Sequence, residues 1–195
     1  MQQLMRIVCL GDSFTQGFGV EEQECWVSLL NREMPWEFVN KGVNGDTTTG
    51  LLARFHRDVV EEKPRYVFLD DGFNDFLAGA ERGGVQANMM SLVHQAYHNN
   101  IVPVVLMIPA GNAKQFKQHW PAFIDIDRVQ AEYEAYRAWL KSFCRGFSLF
   151  YIDCYEVADN ADFADHKYLD GIHMTPAGHA DIAAYIIKFL EKAVH

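Results

Sequence analysis

Apolar residues in this chain fall into five short runs: "RIVCL" at 6–10, "EFVN" at 37–40, "RYVFLD" at 65–70, "IVPVVLMI" at 101–108 and "SLFYID" at 148–153. Runs of this length, rich in β-branched and aromatic residues, predict strands. Between them the spacing changes to three and four. Trp26, Leu29 and Leu30 form one such set, Leu52, Phe55 and Val59 a second, Val85, Met89, Leu92, Val93 and Ala96 a third, and Val129, Tyr133, Tyr136 and Leu140 a fourth. Each predicts a helix with one buried face. A last helix is predicted from "TPAGH", with Thr175 as cap, Pro176 in the first turn, and Ile182, Ile186 and Phe189 turned inward. Strand and helix alternate throughout, which predicts an α/β fold with a parallel sheet covered on both faces by right-handed crossovers. Its ligand site is expected beyond the carboxyl ends of the strands.

The connection "PAGNAKQFKQHWPAFIDIDR", residues 109–128, is long for such a fold. It predicts either a functional loop, with Phe116, His119, Trp120 and Phe123 as a lid or as pins to the core, or a concealed helix.

With 195 residues, 49% of them hydrophobic and 13% aromatic, the chain is expected to form one domain over 1–195. Seventeen basic against 26 acidic residues give a net charge of −9, which argues against nucleic acid and anionic lipid as partners. "MQQLMRIVCLGDS" lacks a basic segment followed by a long apolar run, and no stretch approaches 18 apolar residues. A soluble, cytoplasmic protein without stable membrane association is the expectation. Cys9, Cys25, Cys144 and Cys154 are scattered, which suggests neither a disulfide framework nor a zinc site.

Four polar segments are predicted to meet at one end of the sheet: Gly11–Asp12–Ser13 after the first strand, Asn44–Gly45–Asp46 after the second, Gly72–Phe73–Asn74–Asp75 after the third, and Asp170–Gly171–Ile172–His173 before the last helix. They supply the parts of acyl transfer. A serine hydroxyl needs a base, a neutral imidazole is the usual one, and the imidazole needs a partner on its other nitrogen. Ser13, His173 and Asp170 are the candidates in that order. The backbone N–H groups of Ser13 and Gly45 and the side-chain amide of Asn74 are candidate donors to the negative oxygen of the intermediate. Taken singly, each is also an ordinary cap or turn residue. Asp12, Asp46 and Asp75 are expected to hold neighbouring backbone amides, and adjacent Asp70 and Asp71, pointing to opposite faces, to be structural. Phe14, Phe18, Phe73 and Trp120 are candidates for an acyl pocket, or for the core.

"GDS" at 11–13, "GVNGDT" at 42–47, "GFND" at 72–75 and "DGIH" at 170–173 resemble, in order and spacing, the four blocks of the GDSL or SGNH serine hydrolases. The resemblance, closest to small bacterial lysophospholipase- and arylesterase-type members, implies a three-layer flavodoxin-like fold with a five-stranded parallel sheet and a shallow site. It also implies an esterase or lipase working through a Ser13–His173–Asp170 triad, with no metal and no cofactor, on a small-molecule ester. Carbohydrate O-acetylesterase and thioesterase activities use the same machinery. Two features depart from the pattern: Phe73, where a small residue is common, and the 109–128 loop. G-x-S-x-G, the mark of the α/β-hydrolases, is absent.

Two rival readings remain. Asp165, His166, Asp170, His173, His179 and Asp181 form a cluster of ligand-type residues that would suit a metal-dependent hydrolase, with His179 otherwise expected at the surface or as a cap. "GDSFTQG" could instead form an anion nest in a flavodoxin-like binding module without catalysis.

Overall fold

The computed structural model describes residues 4–70, 72–158 and 165–194. Five strands form one parallel sheet: β1 (Arg6–Gly11), β2 (Glu37–Gly42), β3 (Tyr66–Asp70), β4 (Val102–Met107) and β5 (Phe150–Asp153), in the order β2-β1-β3-β4-β5. Alternation along each strand sorts the side chains onto two faces. Val8, Leu10, Val67, Leu69, Val105 and Met107 join one core. Ile7, Cys9, Phe38, Phe68, Val104, Leu106 and Ile152 join the other.

The first face is covered by α3 (Thr48–Phe55), α4 (Phe73–Leu77), α5 (Arg82–His98), α6 (Ala113–His119) and α7 (Ile126–Gly146). The second is covered by α1 (Ser13–Gln16), α2 (Trp26–Glu33) and α9 (Pro176–Val194). A further short helix, α8 (Tyr155–Ala158), follows β5, and α3 runs on into a single π-type turn at His56–Val60. The result is the expected three-layer α/β arrangement in the flavodoxin-like strand order. All four cysteines are buried free thiols. Among the described residues no helix is long and apolar enough to cross a membrane.

The order of the strands positions the site. The strand order switches at β1, with β2 added on one side of it and β3, β4 and β5 on the other, and the Ser13 cavity lies beyond the carboxyl ends at that switch point. The ends line up there: Gly11 is in register with Gly42, and Leu10 with Leu69. Ser13 and Gly72 follow directly.

The 109–128 segment holds a concealed helix, α6, capped by Asn112, whose side chain accepts from the Gln115 N–H at 3.0 Å. Phe116 is buried in the core and Trp120 stacks on it at 5.1 Å, whereas Phe123 is 86% exposed. The segment is therefore pinned by Phe116, and Phe123 takes no part in a closed lid. Two glycines allow α6 to dock on the Asp170–His173 turn. Gly171, at φ +97°, lies so close that a Cβ there would meet the Phe116 backbone nitrogen at 2.3 Å, and one on Gly111, at φ +81°, would meet the Gly171 carbonyl at 2.2 Å. Only glycine fits either position.

His179 corrects the expectation of a surface or capping residue. It is 1% exposed, stacks on Phe14 at 6.0 Å, and its Nδ1 accepts from the Trp26 N–H at 3.4 Å. Burial pushes its pKa down to about 4, and a charged His173 acts in the same direction. A histidine depressed on folding binds more protons when unfolded, so stability is lost as pH falls from about 6.5 towards about 4. Between pH 7 and 5 this should remove about 2 kcal/mol in the wild type. Urea unfolding of His179→Asn, which keeps an acceptor for Trp26, should show a correspondingly smaller pH dependence. An unchanged dependence would remove His179 as its source.

Candidate active site

Asp12 follows β1 and caps α1, its Oδ1 accepting from the Phe14 N–H at 2.8 Å. The cap turns the chain sharply and sets Ser13 at the first helical position, 6% exposed, against the crevice. On the opposite wall Asp170 folds its own turn: Oδ1 accepts from the backbone N–H groups of Ile172 and His173 at 3.0 and 2.9 Å. This leaves Oδ2 facing the His173 ring, 2.8 Å from Nδ1, while Nε2 lies 3.2 Å from Ser13 Oγ. Three residues separated by up to 160 positions thus form one hydrogen-bonded chain. Burial acts to raise the Asp170 pKa, but the hydrogen bonds from the His173 ring and from the two amides outweigh it and hold the group at about 2. It is therefore a carboxylate at neutral pH, able to accept from the His173 Nδ1–H.

Asn74 reaches the same crevice from α4. Its Nδ2 donates to Asp12 Oδ2 at 2.8 Å and to the Asp46 carbonyl at 3.0 Å, which holds the amide between the Ser13 turn and the Gly45 loop. Gly45 sits in a turn closed by the Asp46 N–H on the Val43 carbonyl at 3.1 Å, with φ +73°. A Cβ there would meet nothing within 4 Å, so the dihedral and not close approach is what calls for glycine.

The acidic neighbours hold these loops, as expected of Asp12, Asp46 and Asp75. Asp46 Oδ1 accepts from the Thr47 N–H at 2.9 Å, and Asp75 takes both the N–H and the hydroxyl of Thr48 at 2.8 and 2.7 Å. Asp70 lies buried beneath the Ser13 turn, with Oδ2 accepting from the Asp12 N–H at 3.3 Å and the Thr15 hydroxyl at 3.2 Å, and burial pushes its pKa up. Asp71 lies outside the described residues.

One central residue was not anticipated. Arg54 of α3, its side chain only 10% exposed, bonds Asp46 at 2.6 Å, Asp58 at 2.8 Å, and the carbonyls of Lys41 and Gly11 at 2.8 Å each. It ties the ends of β1 and β2 to the loop that carries Gly45. An arginine on the polar side of a predicted helix gives no sign of such partners; the only sequence signal is Asp58 four residues on.

Of the candidate pocket residues, Phe14, Phe18 and Phe73 border a narrow cavity beside Ser13. Phe14 also belongs to the core, stacked on Trp26 at 5.6 Å, so both of the roles expected of it meet in one ring. Trp120 stands 6.1 Å from the His173 ring, and Phe18, 46% exposed, only 4.4 Å from it. The cluster of possible metal ligands is dispersed. His179 is in the core, Asp181 pairs with Lys167 at 2.5 Å, Asp170 is committed to His173, and the Asp165 side chain is outside what is described. Among the described residues no group of three or more histidines, cysteines or acids is placed to hold a metal ion.

A model of the GDSL-like lipase/acylhydrolase family matches residues 9–180, which takes in all four segments. The chain belongs to that family. Relatives of this GDSL-like chain include esterase TesA of Pseudomonas aeruginosa, 33% identical over 95 residues, covering 46% of this chain and 47% of that protein. Thioesterase 1/protease 1/lysophospholipase L1 of Escherichia coli is 26% identical over 122 residues, 60% of this chain and 58% of that protein. The chain thus matches only about half the length of these curated relatives. The fold is shared over nearly the full length with a member of the lipolytic protein G-D-S-L family from Veillonella parvula: TM-score 0.77 at 21% identity, covering 94% of this chain and 97% of that one.

Proposed function

We propose that this GDSL-like protein is a serine esterase that hydrolyses small-molecule carboxylic esters through an acyl-enzyme, with residues 1–195 acting as one catalytic domain. The observation that carries the reading is the Ser13–His173–Asp170 chain, at 3.2 and 2.8 Å, at the switch point of the sheet.

In this reading Ser13 Oγ attacks the ester carbonyl as His173 Nε2 takes its proton, and Asp170 stabilises the imidazolium through Nδ1–H. The tetrahedral oxyanion accepts from the N–H groups of Ser13 and Gly45 and from Asn74 Nδ2, which turns one hydrogen from Asp12 to do so. His173 then protonates the departing alcohol, leaving an ester on Ser13. Water enters, gives its proton to His173 and attacks; collapse returns the proton to Ser13 and frees the acid. Atoms balance without metal or cofactor. A thioesterase or sugar O-acetylesterase would run the same steps.

Turnover of p-nitrophenyl acetate, together with a fluorophosphonate adduct mapped to Ser13 by mass, tests the reading. A folded protein that neither turns over nor labels would leave the flavodoxin-like binding module as the better account. Asn74→Ala should lower kcat by about two to three orders of magnitude with little change in KM, the scale of one lost oxyanion donor. Undiminished kcat would reject that role.

A further inference from the structure

We propose that Phe73 closes the acyl side of the site, so that the enzyme takes esters of short acids, acetyl foremost, and rejects longer acyl chains. This rests on the serine-esterase reading and adds its substrate class.

Two of the three directions from a tetrahedral carbon on Ser13 Oγ are already committed. The oxyanion faces Asn74 and Gly45, and the leaving oxygen must face His173 Nε2 to receive its proton. The acyl carbon is left to enter the cavity beside Ser13, whose lining includes Phe73, Ile108, Met174, Phe14 and, at its His173 edge, Phe18. That cavity is about 20 Å³, hardly more than the roughly 10–15 Å³ that one water requires. A methyl group fills it.

The wall is also rigid. Phe73 is 3% exposed and meets Tyr133 edge to face at 4.9 Å and 84°. Tyr133 is itself fully buried, and its hydroxyl donates to the Ile108 carbonyl at 2.8 Å, which ties the two sides of the cavity together. The backbone under Phe73 is held on either side. Gly72 precedes it at φ +86°, and Asn74 and Asp75 after it are bonded to Asp12, Asp46 and Thr48. Swinging the ring away would lose its contact with Tyr133. Phe18, which lines the same cavity beside His173, is by contrast open to solvent, so the fixed limit on acyl size comes from Phe73.

The test holds the leaving group constant and varies the acid: p-nitrophenyl acetate, butyrate and octanoate. In the wild type kcat/KM should fall at least about 100-fold from acetate to octanoate, given that one methylene too many in a fitted pocket costs about 10- to 200-fold. Phe73→Ala should raise the butyrate-to-acetate ratio of kcat/KM at least about tenfold. Because deleting a buried ring weakens the core, Phe73→Leu, which keeps most of the packed carbon, is measured beside it and should raise the ratio by a smaller factor. Octanoate cleaved as readily as acetate by the wild type, or a ratio unchanged in variants still labelled at Ser13 by fluorophosphonate, overturns the gate and leaves the esterase standing. Wild-type protein that is folded, silent on every ester and unlabelled overturns the esterase reading itself.

Discussion

Ser13→Ala should lower kcat/KM for p-nitrophenyl acetate by at least about four orders of magnitude and abolish fluorophosphonate labelling, with the fold intact. The size of the effect follows from what the substitution leaves in place. The backbone N–H of residue 13, Gly45 and Asn74 all remain, so the site could still polarise a carbonyl, but no nucleophile stands beside His173 Nε2. Residual turnover would have to come from water, which lacks the fixed 3.2 Å approach to the imidazole. The cost in stability is small for a specific reason. Ser13 is buried, contrary to what a loop position after a strand suggests, but among the described residues Oγ bonds the His173 ring alone, and one such hydrogen bond contributes about 1 kcal/mol. A urea midpoint near that of the wild type, with activity gone, is the expected pair of results. An alanine variant that retained even a hundredth of the activity would remove Ser13 as nucleophile.

Legibility from sequence differed by kind of feature. The strands were legible because a buried parallel strand is a short apolar run: "IVPVVLMI" became Val102–Met107 and "EFVN" became the start of Glu37–Gly42. The long helices were legible by period. The short ones were not, since four to seven residues carry too little periodicity and are held by caps and tertiary contacts: α1, α4 and α8 went unpredicted, and α6 was foreseen only as one alternative for the long 109–128 connection. His179 shows a signal that was present and passed over. It shares the spacing of Ile182, Ala183 and Ile186, the buried stripe of α9, and that position outweighs its polarity. Residue types and spacing were enough to nominate Ser13, Asp170, His173, Gly45 and Asn74. They could not supply which carboxylate each amide and guanidinium would find across the crevice, because those pairings join elements far apart in the chain.

Arg54 is where that non-local information has the largest consequence for stability. Arg54→Met should destabilise the protein by about 3–5 kcal/mol, because removing one partner of a buried ion pair strands the other. Two carboxylates, Asp46 and Asp58, lie on its fork, and the carbonyls of Gly11 and Lys41 lose a donor as well. Asp58 keeps Arg57 at 2.6 Å, which is the first reason its pKa is held at about 2, so it is partly compensated. The loss falls more heavily on Asp46, whose backbone carbonyl holds Asn74 and whose turn holds Gly45. Two readouts therefore separate clamp from filler. If Arg54 only fills space, Met, which retains much of the aliphatic bulk, should cost little and leave kinetics alone. If it aligns the donors of the oxyanion site, kcat should fall by about tenfold or more in the fraction that is folded, with KM little changed, since donors matter most where charge develops. Arg54→Lys should recover charge but not geometry: a single ammonium cannot serve two carboxylates and two carbonyls lying in different directions, so most of the loss in kcat should remain. Full recovery by lysine would show that net charge near Asp46, and not the fork, is what the site requires.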